Sequence, residues 1–478
     1  MSKTIFGTTE KSNFILNMKN ETVQKLLRVV LFLCIIIPQI GALVITLAQT
    51  TSVWLATFLY FAGFTGLLIY LIVMLRGEIK FFENKTYIII VLIAVFTLVS
   101  YYGVIIRGES DDFMKTALFG EQGRYEGLIS IIAYLGIFLA ATCIIKLRDV
   151  KAIFDCLIGA GLLQAVVAIL QHIPRLNFPS DFNDLLYPYL TKYCYVSSGL
   201  ADSPIFYGSF LTLAFSVALV GAVYDQNKKR NIIYGISALL FLLTGLFTSS
   251  IVAIIGIGSS LLIAITIDTI GRIKYKDNAF KPKNLKEKNK RWSILILLII
   301  FISLLVTIFQ GIYIRDLDIA FSDAYYRLFI VGGPTLKVDF TLYDISWGRS
   351  LEFIKMHPIT GLGPDCMATF QLNNPDYTVS SIDKSYNEYL YIAATRGIPS
   401  LIAYLSLLIY VIIKLVKSIK IFFINTDNWF KPALLTAIIA YSIQGFFSAS
   451  AITVAPFFWL LLGIACATRM ENSEDIKK

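Results

Sequence analysis

Twelve runs of mostly apolar side chains, each near the ~20 residues a helix needs to cross a bilayer, punctuate the chain. They fall at about 27–48, 53–75, 86–106, 127–145, 152–171, 205–224, 231–247, 250–267, 292–311, 398–416, 432–448 and 452–468. The pattern predicts an all-α, polytopic membrane protein of about 12 transmembrane helices. Residues 231–267 form one long apolar run, divided where Thr248, Ser249 and Ser250 interrupt it. The first run follows some 26 mostly polar residues and is about 22 long, which reads as a membrane helix and not a short cleaved signal.

Most polar connections are short, and three are not: 107–126, 172–204 and 312–385. The last lies between the ninth and tenth helices, is too long for a passive connection, and is rich in aromatics such as Phe329, Phe340, Trp347 and Phe353. Within it DISWGRSLEFIKMHP places Trp347, Leu351 and Ile354 at i, i+4 and i+7, a helix with one apolar face. His357-Pro358 should stop that helix, and the following GLG should turn the chain. The division is therefore 1–311 (nine-helix bundle), 312–385 (large loop) and 386–478 (a short capped helix, then three membrane helices).

Composition agrees: 56% hydrophobic and 15% charged residues, with mean hydropathy +0.70, exclude a soluble or disordered class. With both termini in the cytoplasm, the inner segments hold 30 of the 42 Lys and Arg, nine of them in GRIKYKDNAFKPKNLKEKNKR. Residues 312–385 (with Asp376) are then outside and 268–291 (with Lys283) inside. This bias accounts for the net charge of +10. No basic stripe interleaved with aromatics remains to suggest nucleic acid. Of six Cys, only Cys194 and Cys366 fall outside, and no spacing supports a disulfide between them. No His or Cys cluster suggests a metal, and no nucleotide fingerprint or Ser/His/Asp set is present. No repeat relates the halves, which weakens a transporter or flippase reading.

The stretch DKSYNEYLYIAATRGIP, residues 383–399, stands at the mouth of the tenth run. Ser385 and Glu388 fit a capping box, with a helix from Tyr386 to Arg396 and Gly397 at its end. Free N–H groups at its start, with Lys384 beside them, would make an anion site. Tyr386, Tyr389, Leu390, Ala393 and Arg396 share one face. Glu388 reads as either a cap or a base, and Arg396 as a ligand or a partner of the helix C-terminus. Arg124, in GRYEGLIS, either pairs with Glu121 or Glu126 or faces a substrate. Arg349 could pair with Glu352 three residues on, and His357 could merely end its helix.

WGRSLEFIKMHPITGLGPD, some 20 polar residues, and DKSYNEYLYIAATRGIPSLIAYL resemble the signature region of the O-antigen ligase/polymerase superfamily. GRYEGLI and GLADSPIFYGSFLTLAFSVAL also fit, as does the large loop between the ninth and tenth helices. The resemblance implies a GT-C-like integral-membrane glycosyltransferase of the bacterial cell membrane, with its site on the outer face. Such an enzyme takes a glycan from undecaprenyl diphosphate to a saccharide acceptor, with no metal and no nucleotide sugar. Surface polysaccharide polymerisation is the first reading, transfer to lipid A core or another anchor the second. It assigns chemistry to Tyr386, Asn387 and Arg349, and substrate contacts to Arg124, Lys384, Arg396 and His357. Two departures stand out: Tyr386-Asn387 where the family reads His-Asn, and TSSIVAI without the usual Arg at the eighth helix.

Overall fold

The computed structural model describes residues 20–48, 53–77, 85–144, 146–172, 197–201, 203–274, 285–314, 341–373, 383–424 and 426–467. Among these, regular structure is helical throughout. The order is α1 (Asn20–Ala48), α2 (Val53–Leu75), α3 (Lys85–Ile106), α4 (Asp111–Phe119), α5 (Leu128–Thr142), α6 (Leu147–His172), α7 (Pro204–Tyr224) and α8 (Lys228–Phe247). Then follow α9 (Ile251–Lys274), α10 (Leu285–Ile314), α11 (Thr341–Met356), α12 (Met367–Asn373), α13 (Glu388–Arg396), α14 (Ile398–Ile424), α15 (Phe430–Gln444) and α16 (Ala455–Ala465). Each of the twelve apolar runs carries a helix. Seven (α2, α3, α6, α7, α8, α9 and α14) are long and apolar enough to cross a membrane, and α5 and α16 are shorter apolar helices. Cys194, Lys283, Phe329, Phe340 and Asp376 lie outside the described residues; Cys366 is a buried free thiol.

The break inside 231–267 has a local cause. Thr248 Oγ1 donates to the Gly245 carbonyl (2.6 Å) and accepts from Ser250 N (3.1 Å). Ser249 adopts φ +49°, which ends α8 and starts α9 in a new direction. Hydroxyls that bond nearby backbone compete with a helix in this way.

α7 lies at the centre, buried along almost its whole length, as expected for a helix apolar all round. Phe210 meets Phe457 of α16 edge-on at 5.1 Å, and Phe138 of α5 meets Trp459 at 6.2 Å. A second, smaller apolar cluster joins Val104, Phe113, Ala117, Phe353, Leu362, Cys366, Met367, Tyr391 and Ala394. It packs α4, α11, α12 and α13 into one cap, so the segments 107–126 and 341–373 form a single structure.

One expected face is corrected. The inward side of α11 is Tyr343, Ser346, Ser350 and Phe353, all buried, whereas Leu351 is 49% exposed. The serines turn inward because Ser346 and Ser350 donate to the carbonyl (3.0 Å) and hydroxyl (2.7 Å) of Ser385. Burying a hydroxyl is tolerated when it is paired.

Candidate functional site

The site assembles from the two motif stretches, because the turn after α11 docks on α13. His357-Pro358 ends α11 as expected, and the chain doubles back through 359–363. Leu362 N donates to Ala394 O (2.9 Å), Gly363 N to Thr395 O (2.9 Å) and Ile398 N to Pro358 O (2.8 Å). Arg107 clamps the turn from α3, giving hydrogen bonds to the Gly361 and Leu362 carbonyls at 3.1 and 2.5 Å. Gly397 has φ +85° at the end of α13, and a Cβ there would meet the Ile359 carbonyl oxygen at 1.9 Å. Only glycine fits that approach.

At the other end of α13 the cap differs from expectation. Asn387, not Ser385, caps the helix: its Oδ1 accepts from Tyr389 N (3.0 Å) and Leu390 N (3.1 Å). Ser385 is held by Ser346 and Ser350, and Tyr386 takes φ +46° to turn the chain into the helix. Glu388 N donates to the Gly445 carbonyl at 2.8 Å. The first-turn N–H groups are thus satisfied internally, so the expected free anion site on the helix N-terminus is not present. Side chains must bind any anion here.

Those side chains converge through a carboxylate that the sequence reading gave no role. Asp365, in the GLGPD turn at φ +56°, is buried. Its Oδ2 accepts from Glu121 N (2.8 Å) and Glu126 N (3.4 Å). Its Oδ1 accepts from the Tyr391 hydroxyl (2.6 Å) and lies 3.3 Å from the Arg124 guanidinium. The other arm of Arg124 meets Asp383 Oδ2 at 3.0 Å, and the Tyr386 hydroxyl donates to Asp383 Oδ1 at 3.3 Å. Arg124 therefore pairs with Asp365 and Asp383, not with Glu121 or Glu126, and its Nε is buried without a hydrogen-bond partner among the described residues. The available signal for Asp365 was its place after Gly-Leu-Gly-Pro, since Asp tolerates positive φ.

Lys384 points inward. It ion-pairs with Glu126, donates to the Ser450 carbonyl (2.5 Å), and lies 5.0 Å from the Phe206 ring centre. Burial pushes the Glu126 carboxyl up from its ordinary value, and Lys384 opposes that shift. The pair fixes the loop 120–127 to the chain entering α13.

Arg124, Lys384, Tyr386 and Asn387 thus gather at the start of α13. Arg349 is half-buried on α11 between Ser346 and Ser350, the residues that hold Ser385. His357 and Arg396 belong to the opposite end, with Arg107. Burial and then Arg107 lower the His357 pKa; burial lowers that of Arg396, against the pull of Glu388.

Glu388 is buried, makes no reciprocal cap, and accepts from the Tyr404 hydroxyl at 3.3 Å. Burial, and then Glu126, raise its pKa from 4.5 to about 7. Folding thus favours its protonated form. That contribution is full below about pH 4.5 and is lost as the pH rises through about 7. Its size is about 3 kcal/mol. Thermal unfolding of the detergent-solubilised protein between pH 5 and 8 should show stability falling with pH, and Glu388→Gln should flatten that slope. An unchanged slope would refute the assignment.

The comparisons fit this geometry. No curated protein matches the chain. A family model described as O-antigen ligase matches residues 236–405, a segment that takes in α11, the docked turn and α13. Over that segment, which supplies most of the site, the likeness to the O-antigen ligase/polymerase superfamily is shown.

Proposed function

We propose that this protein is a glycosyltransferase of a bacterial cell membrane, with its site on the outer face and both termini in the cytoplasm. It moves a glycan from undecaprenyl diphosphate to a saccharide acceptor, with polymerisation of a surface polysaccharide as the leading reading. The observation that carries this is the grouping of Arg124, Asp383 and Tyr386 at the junction of the two motif stretches, next to the turn of α11 that holds Ser385.

In the transfer, an acceptor hydroxyl attacks the anomeric carbon of the donor sugar and its proton passes to a base. The bond from that carbon to the diphosphate oxygen breaks, and the lipid diphosphate leaves with the electron pair. Arg124 and Arg349 stabilise the charge gathering on that group, the electrostatic part of catalysis. Two carboxylates already oppose Arg124. Asp365 is buried and fixed, whereas Asp383 is 48% exposed, so a diphosphate binds by replacing Asp383. The displaced carboxylate is then the group placed to take the acceptor proton. Tyr386 donates its hydroxyl to phosphate; a phenol, with a reference pKa of about 10 for tyrosine, suits a donor and not the base. Lys384 and Asn387 hold the backbone that carries it.

Incubation of purified protein with an undecaprenyl-diphosphate oligosaccharide tests the proposal. Longer lipid-linked chains are expected. Transfer only to a separate anchor would make it a ligase, and vesicle translocation without new glycosidic bonds would refute enzymatic transfer.

A further inference from the structure

Tyr386 also belongs to a group of rings whose other members no step above uses. Tyr343 is buried at its centre. Around it stand Trp347 (ring centres 6.1 Å apart), Phe447 (6.0 Å) and Tyr386 (6.3 Å), all edge-to-face. Trp347 and Phe447 are 6.4 Å apart. The rings come from three separate elements: α11, the turn before α13, and the loop between α15 and α16. Tyr343 ties two of them by donating to the Phe447 carbonyl at 3.3 Å.

Trp347, Tyr386 and Phe447 are each only part-buried, so the cluster is not a closed core. Nor does it resemble a membrane-interface anchor, in which the indole N–H faces water or headgroups. Here Trp347 Nε1 is buried and has no hydrogen-bond partner among the described residues, so what Trp347 exposes is not its N–H. Next to it Gly348 is exposed, with nothing within 4 Å of where a Cβ would stand. Arg349 lies two residues on, about 200° round the helix, so the cluster presents uncharged rings.

Resting on the transfer reading, we propose that Trp347, Phe447 and Tyr386, backed by Tyr343, form a saccharide-stacking subsite. The C–H face of a pyranose is electropositive at its hydrogens and packs against the negative face of an aromatic ring. A diphosphate has no such face, which separates this surface in chemistry from the Arg124–Asp383 pair. The glycan held here is either the acceptor chain or the sugar portion of the donor, and the two are distinguished below.

The probe is the repeat-unit oligosaccharide released by mild acid from the host's own lipid-linked intermediates. Binding is read by isothermal titration to the intact protein in detergent, for wild type, Trp347→Ala, Trp347→Phe and, on a separate element, Phe447→Leu. Trp347→Ala and Phe447→Leu are expected to weaken binding by about 3- to 10-fold each, with Trp347→Phe nearer wild type. Glycan-free undecaprenyl diphosphate should bind all four alike. In turnover assays a raised KM for acceptor places the acceptor on the rings, and a raised KM for donor places the donor glycan there. Unchanged oligosaccharide binding in both Trp347→Ala and Phe447→Leu overturns the subsite, as does an equal loss of glycan-free lipid binding. Oligosaccharide binding through Trp347 without any new glycosidic bond would overturn the transfer reading and leave the subsite standing.

Discussion

Lys384→Met should destabilise the protein by about 3–5 kcal/mol, the usual range when one partner of a buried ion pair is removed. Both side chains are almost wholly inaccessible, 1% exposed for Lys384 and 4% for Glu126. Without the cation, the Glu126 carboxyl must stay charged in a dry interior or take up a proton. Its pKa is already raised by burial, and loss of Lys384 raises it further. The destabilisation should therefore be largest at alkaline pH and shrink on acidification. Glu126→Gln/Lys384→Met removes both charges and should be more stable than Lys384→Met alone. Thermal unfolding in detergent checks this. If the double variant loses the sum of the two single losses, the residues are not coupled and the pair is not what holds the 120–127 loop.

Arg349→Ala should slow turnover by about 10²–10³, the scale of losing one charge-stabilising donor, or roughly 2.7–4 kcal/mol of barrier. The expectation rests on position. Arg349 immediately precedes Ser350, one of the two serines that grip Ser385, so it stands on the turn of α11 that fixes the entrance to α13. Arg349→Lys should recover part of the rate, because a point charge remains but the planar fork is lost. Arg396→Ala, at the far end of α13, should cost less. Normal turnover by folded Arg349→Ala would place the diphosphate elsewhere.

Helices were legible wherever one physical signal dominated. A long apolar run becomes a helix because in a bilayer no other structure satisfies its backbone; each of the twelve runs carries a helix here, and seven of these helices are long and apolar enough to cross a membrane. The stop at His357-Pro358 and the break at Thr248–Ser250 were equally local. The cap of α13 was not. Ser385 and Glu388 satisfy the local rule, yet Ser346 and Ser350, some 35–39 residues away, claim Ser385 first. The face of α11 was missed for the same reason: its inner serines answer a partner that periodicity cannot see. Asp365 draws its partners from residues 121–126 and 391, and Lys384 finds Glu126 across 258 residues. A single sequence shows which residues are charged; it does not show which of them fold onto one another.

The docked turn also has a consequence for how such a protein can change over evolution. Thr369 is tied to Glu121 at 2.6 Å, and Lys384 is tied to Glu126, so the described residues on both sides of 374–382 are anchored to one loop. Lengthening a connection between two fixed points costs little, about 0.6 kcal/mol per doubling of its length. Insertions between residues 373 and 383 should therefore leave Arg349, Tyr386 and Arg124 in place. Changes on either side of those tethers would shift the cations themselves. Diversification is thus cheap in one short window of the chain and expensive next to it.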